Sequence, residues 1–200
     1  MNEKFFDLKK EKQDRMINAA LKIFAQNGYA HASTDDIVKE AGISKGLLFH
    51  YFTNKIGLYS FIYDYSTKYT ILEMTSTVDI SDNDYFGLHL QIENAKVSVM
   101  KSYPYMIAFL NSTKNENVLE ALNEIADRRN VVKEKIDEYF AHANRTHLKE
   151  NTDVAKLDEI IEFVCDAVLL RILKEDEYRV DAYYTEVKKY LVELRNIGYK

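Results

Sequence analysis

Residues 28–58 read GYAHASTDDIVKEAGISKGLLFHYFTNKIGL, and this stretch decides the fold. Ser33-Thr34-Asp35-Asp36 sets a capping hydroxyl three residues before a carboxylate, a capping box with Asp36 in the usual place of glutamate. Asp35 and Asp36 also suit the positive end of a helix dipole. The helix predicted from there runs through Ile37, Val38 and Ala41, apolar on one side. Gly42 stops it, because glycine enters the left-handed conformation at little cost. Ile43 plugs the angle, and Ser44 caps a second helix from Lys45 to Tyr51. Thr53 or Asn54 caps the next helix, with Lys55 in its first turn. Two short helices joined by a tight glycine turn form a helix-turn-helix.

Working outward, Ile17, Ala20, Leu21 and Phe24 follow the i, i+3, i+4, i+7 spacing of one buried stripe, so a third helix precedes the motif and ends near Gly28. Downstream the helix breakers almost vanish: only Gly87, Gly198 and the lone Pro104 follow residue 58. Long helices are the consequence. Val154, Leu157, Ile160, Ile161, Val164, Val168 and Ile172 trace one stripe, and Val180, Tyr183, Val187, Tyr190, Leu191 and Leu194 another. Val118, Leu122, Ile125, Val132, Ile136 and Phe140 outline a long helix between them. No alternating run long enough for a sheet occurs. The expected fold is all-α: an N-terminal three-helix helix-turn-helix domain over residues 1–55, then a larger helical bundle for ligand binding and dimerisation over residues 56–200.

Charge follows the same division. Residues 1–58 carry a net +2 and the remainder −7, which suits a protein touching DNA with one end. The basic N-terminal arm of Lys4, Lys9, Lys10 and Lys12 is expected to fray into solvent rather than to enter a minor groove. One cysteine, Cys165, forms no intramolecular disulfide and reads as a buried structural thiol in a reducing compartment. The charged start is no signal peptide, and the longest apolar run, from Tyr105 to Leu110, is far short of a membrane span. A cytoplasmic protein without a membrane partner is expected. Enzyme signatures are missing: there is no His-Glu-x-x-His, phosphate loop or Gly-x-Ser-x-Gly. Glu138 and His142, four apart with His147 nearby, read as surface groups, so no metal and no cofactor are expected.

In a helix-turn-helix the second helix enters the major groove, and its N-terminal residues meet base edges. Here that helix offers Lys45, Gly46, Leu47, His50 and Tyr51 outward, while Leu48 and Phe52, four apart, face the core. Gly46 lets the backbone approach DNA closely. The helix starts at Ser33-Thr34 and at Ser44 present free N–H groups that bind phosphate.

These residues give a specific resemblance. Gly28-Tyr29, Ala32-Ser33, Ile37, Ala41-Gly42-Ile43-Ser44-Lys45-Gly46, Phe49-His50-Tyr51-Phe52, Lys55 and Leu58 stand in the order of the DNA-binding signature of the TetR family of bacterial repressors. Leu47 stands where that pattern commonly has Thr, and Phe49 where it commonly has Tyr; both lose a hydroxyl, and Leu47 offers a thymine methyl an apolar contact instead. The resemblance implies that Ser33, Lys45, Gly46, His50, Tyr51 and Lys55 touch DNA. It also implies a homodimer joined through its last two helices, and a small-molecule effector, as yet unidentified, held by the middle helices. Ligand binding would move the fourth helix and separate the two DNA-reading heads, releasing a double-stranded operator.

Fifteen tyrosines and no tryptophan supply the candidate pocket. Tyr63 on the fourth helix, Tyr103, Tyr105 and Phe109 around Pro104, and Phe140 and Phe163 further on would line it, with Glu93 or His89 as a polar anchor. The expected function is a sequence-specific repressor released by that ligand. Two alternatives stay open: a regulator of the same fold controlled by a protein partner, and a helical enzyme whose motif is accidental.

Overall fold

The computed structural model describes residues 3–174 and 179–200. Among them no strand forms; two isolated bridges, Asp84 with Asn144 and Leu148 with Tyr199, are the only sheet-type pairings. Ten α-helices follow in chain order: α1 (Lys10–His31), α2 (Thr34–Ala41), α3 (Lys45–Phe52), α4 (Lys55–Thr77), α5 (Tyr85–Ser102), α6 (Met106–Ser112), α7 (Leu119–Ile125), α8 (Val131–Ala141), α9 (Val154–Ile172) and α10 (Val180–Gly198). No described helix is long and apolar enough to cross a membrane.

The chain divides into two compact units, one of Met1–Tyr69 with Ser102–Val131 and the other of Thr70–Lys101 with Val132–Lys200. The division anticipated at residue 55 lies inside the first unit. The reason is packing: α1 buries Met16, Ile17, Ala20, Leu21 and Phe24 and lies against both α2 and α6. Phe24 meets Tyr59 of α4 and Phe109 of α6 at ring separations of 5.1 and 6.1 Å, which ties three segments into one core.

Helix α1 does not end cleanly at Gly28. Gly28 takes φ 64°, ψ 178° and kinks it, and the chain resumes one more turn to His31. That conformation is open essentially to glycine alone. The N–H of Tyr29 exposed by the kink donates to Glu116 Oε2 at 2.8 Å. The carboxylate also accepts from the N–H groups of Asn117 and Val118, each at 3.0 Å. Burial alone would raise the Glu116 pKa, but these three donors hold it below the usual glutamate value.

The long helix outlined over 118–140 is interrupted. After α7, residues Ala126–Arg128 form a 3-10 turn before α8 begins. The Tyr63 hydroxyl donates to the carbonyls of Arg128 and Arg129 at 3.4 and 3.3 Å, which takes up backbone acceptors freed by the break. Arg128 pairs with Asp64 on α4 and with the Glu124 carbonyl. The apolar spacing continues across the break, so periodicity alone could not reveal it.

The N-terminal arm is anchored, not frayed. Glu3–Asp7 form a 3-10 turn, and Phe5 is 0% exposed. A wholly buried phenylalanine ring outweighs the charged residues around it, which remain at the surface.

In the second unit, α9 packs on α10. Leu157, Ile161, Cys165, Val168, Leu169 and Ile172 are buried along α9, and Tyr183, Val187 and Leu191 along α10. Ile160 and Tyr190, which also lie on the two apolar stripes, are exposed.

Two glycines yield a graded prediction. Gly42 sits in the ordinary left-handed well at φ 63°, ψ 43°, which asparagine tolerates, whereas Gly28 does not. Gly42→Asn is expected to change stability by less than about 1 kcal/mol, and Gly28→Asn to cost about 1–3 kcal/mol. Thermal unfolding of the two variants checks the order.

Candidate nucleic-acid interface

Each end of the α2–turn–α3 unit is chemically closed. Ser33 Oγ accepts from the Asp35 N–H at 3.1 Å, one residue earlier than the capping-box spacing to Asp36 suggests. At the other end of α2 the Gly42 N–H donates to Lys39 O at 3.2 Å and the Ile43 N–H to Val38 O at 3.0 Å. This pair of bonds is a Schellman motif, with Ile43 and Val38 as its half-buried apolar partners. Ser44 then caps α3, its Oγ accepting from the Leu47 N–H at 3.2 Å. Asn54, not Thr53, caps α4, its Oδ1 accepting from the Gly57 N–H at 2.8 Å.

The inner face of α3 is as expected: Leu48 and Phe52 are each 1% exposed. On the outer side Ser44, Lys45, Gly46 and His50 are exposed and Leu47 is half-buried. Ser33 and Thr34, at the start of α2, are half-buried. Tyr51 combines both characters. Its ring is buried against Phe5 and Phe52, with ring separations of 5.7 and 6.5 Å, and meets His50 edge-on at 4.9 Å. Its hydroxyl makes no hydrogen bond with any described residue.

Two cations are already engaged. Lys45 Nζ lies 2.8 Å from Asp35 Oδ1, so the tip of α3 is tied to the start of α2. Both groups are more than half exposed, at 52% and 70%, and such a pair exchanges readily for another anion. Lys55 donates to Ala30 O at 3.3 Å and stands over the Tyr29 ring at 4.5 Å. Burial pulls its pKa below the ordinary lysine value, with Glu120 and Glu116 opposing. It therefore joins the start of α4 to the last turn of α1. Sequence reading missed Asp35 as the partner of Lys45 and the acidic pair around Tyr29, since neither pairing follows a helical spacing.

This geometry has counterparts. Residues 16–60 match the family model described as bacterial regulatory proteins, tetR family. The match covers 45 of the chain's 200 residues and is a resemblance of this segment. A curated relative, an uncharacterized HTH-type transcriptional regulator YuxN of Bacillus subtilis, is 49% identical over 49 residues. That stretch is 24% of this chain and spans only 17% of the relative's length. Over the whole fold the chain resembles a TetR family transcriptional regulator from Chloroflexus aurantiacus, with a TM-score of 0.66, 18% identity, and 100% and 98% of the two chains covered. It also resembles the transcriptional regulator FadR from Bacillus subtilis in complex with stearoyl-CoA, with a TM-score of 0.52, 20% identity, and coverage of 89% and 96%. These two likenesses are of fold.

The residues proposed from sequence for a ligand are split between the two units of the chain. In the first, Tyr63, Tyr103 and Phe109 are buried and Tyr105 is half-buried. Tyr63 meets Phe109 at 6.4 Å. Tyr103 instead joins a hydroxyl cluster, donating to Asp14 Oδ1 at 2.8 Å, lying 2.6 Å from the Tyr65 hydroxyl, and accepting from Lys10 Nζ at 2.9 Å. In the second unit Glu93 is 3% exposed, paired with Lys96 at 2.6 Å and accepting from the Tyr183 hydroxyl. His89 binds Asp158 at 3.2 Å and lies tilted against the Phe140 ring at 4.4 Å. Phe163 is 63% exposed, so its ring faces away from the core.

Gly46 separates the needs of the fold from those of the interface. A Cβ built there meets no protein atom within 4 Å, so folding does not require a glycine. Gly46→Ala should stabilise α3 by about 0.5–1 kcal/mol, since glycine is a poor helix residue. If the backbone of α3 approaches DNA here, the same variant loses DNA affinity. A rise in melting temperature together with weaker binding in an electrophoretic shift assay is the expected pair of results.

Proposed function

We propose that this chain is a homodimeric transcriptional repressor that holds a double-stranded DNA operator through α3 of each head and leaves it on binding a small molecule. The observation that carries the reading is α3 itself. Its inner face is sealed by Leu48 and Phe52, while Lys45, Gly46 and His50 stand exposed beyond the Ser44 cap. Ser33, Thr34, Ser44, Leu47, Tyr51 and Lys55 complete the contact set. Lys45 would exchange Asp35 for a phosphate, and the tightly tied Lys55 would act from the end of its Tyr29 contact.

One recognition helix covers too few base pairs to select a site, and two spaced about 34–36 Å apart read successive major grooves. Apolar groups on the outer faces of the last two helices favour such pairing. Ile160, Phe163 and Leu170 on α9 are 46%, 63% and 57% exposed at helical spacing, and Tyr190 and Ile197 on α10 lie seven residues apart. A self-complementary face of this kind suits an isologous dimer. In this reading residues 1–55 hold DNA, residues 56–200 sense and dimerise, and the protein works in the cytoplasm. The bound stearoyl-CoA of the Bacillus subtilis FadR likeness makes an acyl-CoA the first effector to test.

Sedimentation and DNA selection test both halves. Wild-type protein should sediment as a dimer and enrich one duplex from a random library, and stearoyl-CoA is the first compound added to release it. Phe163→Glu should yield monomers and lower affinity for the selected duplex by at least about tenfold, because one head then binds alone. A dimer unaffected by Phe163→Glu would remove α9 from the interface, and enrichment of no sequence would overturn the operator reading.

A further inference from the structure

The N-terminal turn lies outside the stretch that matches the family model, which begins at residue 16, yet it carries a wholly buried phenylalanine. The Phe5 ring lies 5.7 Å from Tyr51 and 5.1 Å from Phe52 on α3, and 5.2 Å from Phe61 on α4. It fills the wedge between the recognition helix and the helix that follows it. The turn is fastened rather than merely adjacent. The Leu8 N–H donates to Phe5 O at 3.2 Å, and the buried side-chain amide of Gln13 on α1 donates to Phe6 O at 3.1 Å and Leu8 O at 2.7 Å.

We infer that Phe5 is a positioning residue for the recognition helix: it backs Tyr51 and so sets how the last turn of α3 meets DNA. The inference rests on the reading of α3 as the DNA-contacting helix. The buried Tyr51 ring in turn meets the exposed His50, so the support given by Phe5 reaches an outer residue of the last turn. The tip at Lys45 and Gly46 lies seven and six residues before Phe52, at the other end of α3, and is closed by its own ties, the Ser44 cap and the Asp35 pair. Loss of Phe5 should therefore blur recognition at one end of a half-site and leave the other intact. A residue serving stability alone would weaken all contacts together.

The test uses the full-length wild type with Phe5→Ala, Phe5→Leu and Gln13→Ala. The probes are a duplex enriched from a random library by the wild type and a scrambled duplex of equal length. Phe5→Ala should bind the enriched duplex about tenfold more weakly, the loss of one good base contact. Binding to the scrambled duplex, which depends on phosphates, should stay within about twofold. Repeating the selection with Phe5→Ala should erase base preference at one end of each half-site only. Phe5→Leu, which refills most of the wedge, should recover most of the affinity. Gln13 has no ring or hydrogen-bond contact with α3, so Gln13→Ala loosens the turn without touching it and should shift preference at the same end. Amide exchange across α3 and α9 reads the fold independently: the expected result is faster exchange in residues 47–53 and unchanged exchange in α9. Wild-type affinity in both Phe5→Ala and Gln13→Ala, or equal losses on both duplexes with faster exchange throughout, would overturn the positioning role. A wild type that enriches no duplex overturns the DNA reading and the positioning role with it.

Discussion

Helix α3 is eight residues long, and a helix so short does not persist alone in water. The burial of Leu48 and Phe52 is the interaction on which the head depends. Fully burying a leucine or phenylalanine side chain stabilises by about 1.5–3 kcal/mol, more than an exposed ion pair such as Lys45–Asp35 provides. The Gly42 turn sets the direction of α3, the Ser44 cap starts it, and the two apolar anchors fix its rotation. That rotation leaves Lys45, Gly46 and His50 outward. Structure and chemistry are thus divided along one short helix, with Tyr51 serving both through a buried ring.

The second feature that organises the first unit is a row of charged groups four residues apart, at Glu116, Glu120, Glu124 and Arg128. Glu120 and Glu124 share one face of α7, while Glu116 precedes the helix in extended backbone and Arg128 ends the 3-10 turn that follows it. Each finds a partner in the head or on α4: Glu116 takes the Tyr29 N–H, Glu120 the Tyr29 hydroxyl at 2.8 Å, Glu124 the Ser60 hydroxyl at 2.6 Å, and Arg128 pairs with Asp64. These contacts explain why the segment 102–131 belongs to the same compact unit as the head. They also bear on Lys55, which stands over the ring that Glu116 and Glu120 hold. In the proposed switch, a shift of this segment would alter the footing of both α1 and α4.

Local chemistry made much of this legible. The glycine at 42, the serines at 33 and 44, and the apolar pair at 48 and 52 each act within a few residues of themselves, so the sequence declares them. The long apolar stripes likewise marked α9 and α10. What it did not declare are contacts between distant residues. The break after Ile125 is hidden because the apolar spacing runs on, and only the meeting of Tyr63 and Asp64 with residues 128–129 shows why the chain turns. The anchoring of the N-terminal arm was signalled by Phe5 and Phe6 among charges, but the basic residues dominated that reading. Candidate ligand residues were the least legible, since an aromatic side chain serves a core as readily as a pocket. Tyr103 proved to be part of a hydroxyl cluster with the distant Asp14 and Tyr65, and Glu93, besides pairing with its helical neighbour Lys96, accepts from the distant Tyr183 hydroxyl; contacts between such distant residues leave no mark at helical spacing.

The account stands on α3 entering the major groove in pairs. Methylation interference on a duplex enriched by the protein tests it most directly, because guanine N7 lies in the major groove and adenine N3 in the minor. The account predicts two clusters of interfering guanine N7 methylation, their centres about one helical turn or a multiple of it apart. Interference confined to adenine N3, or a single cluster from a protein shown to be dimeric, would contradict it.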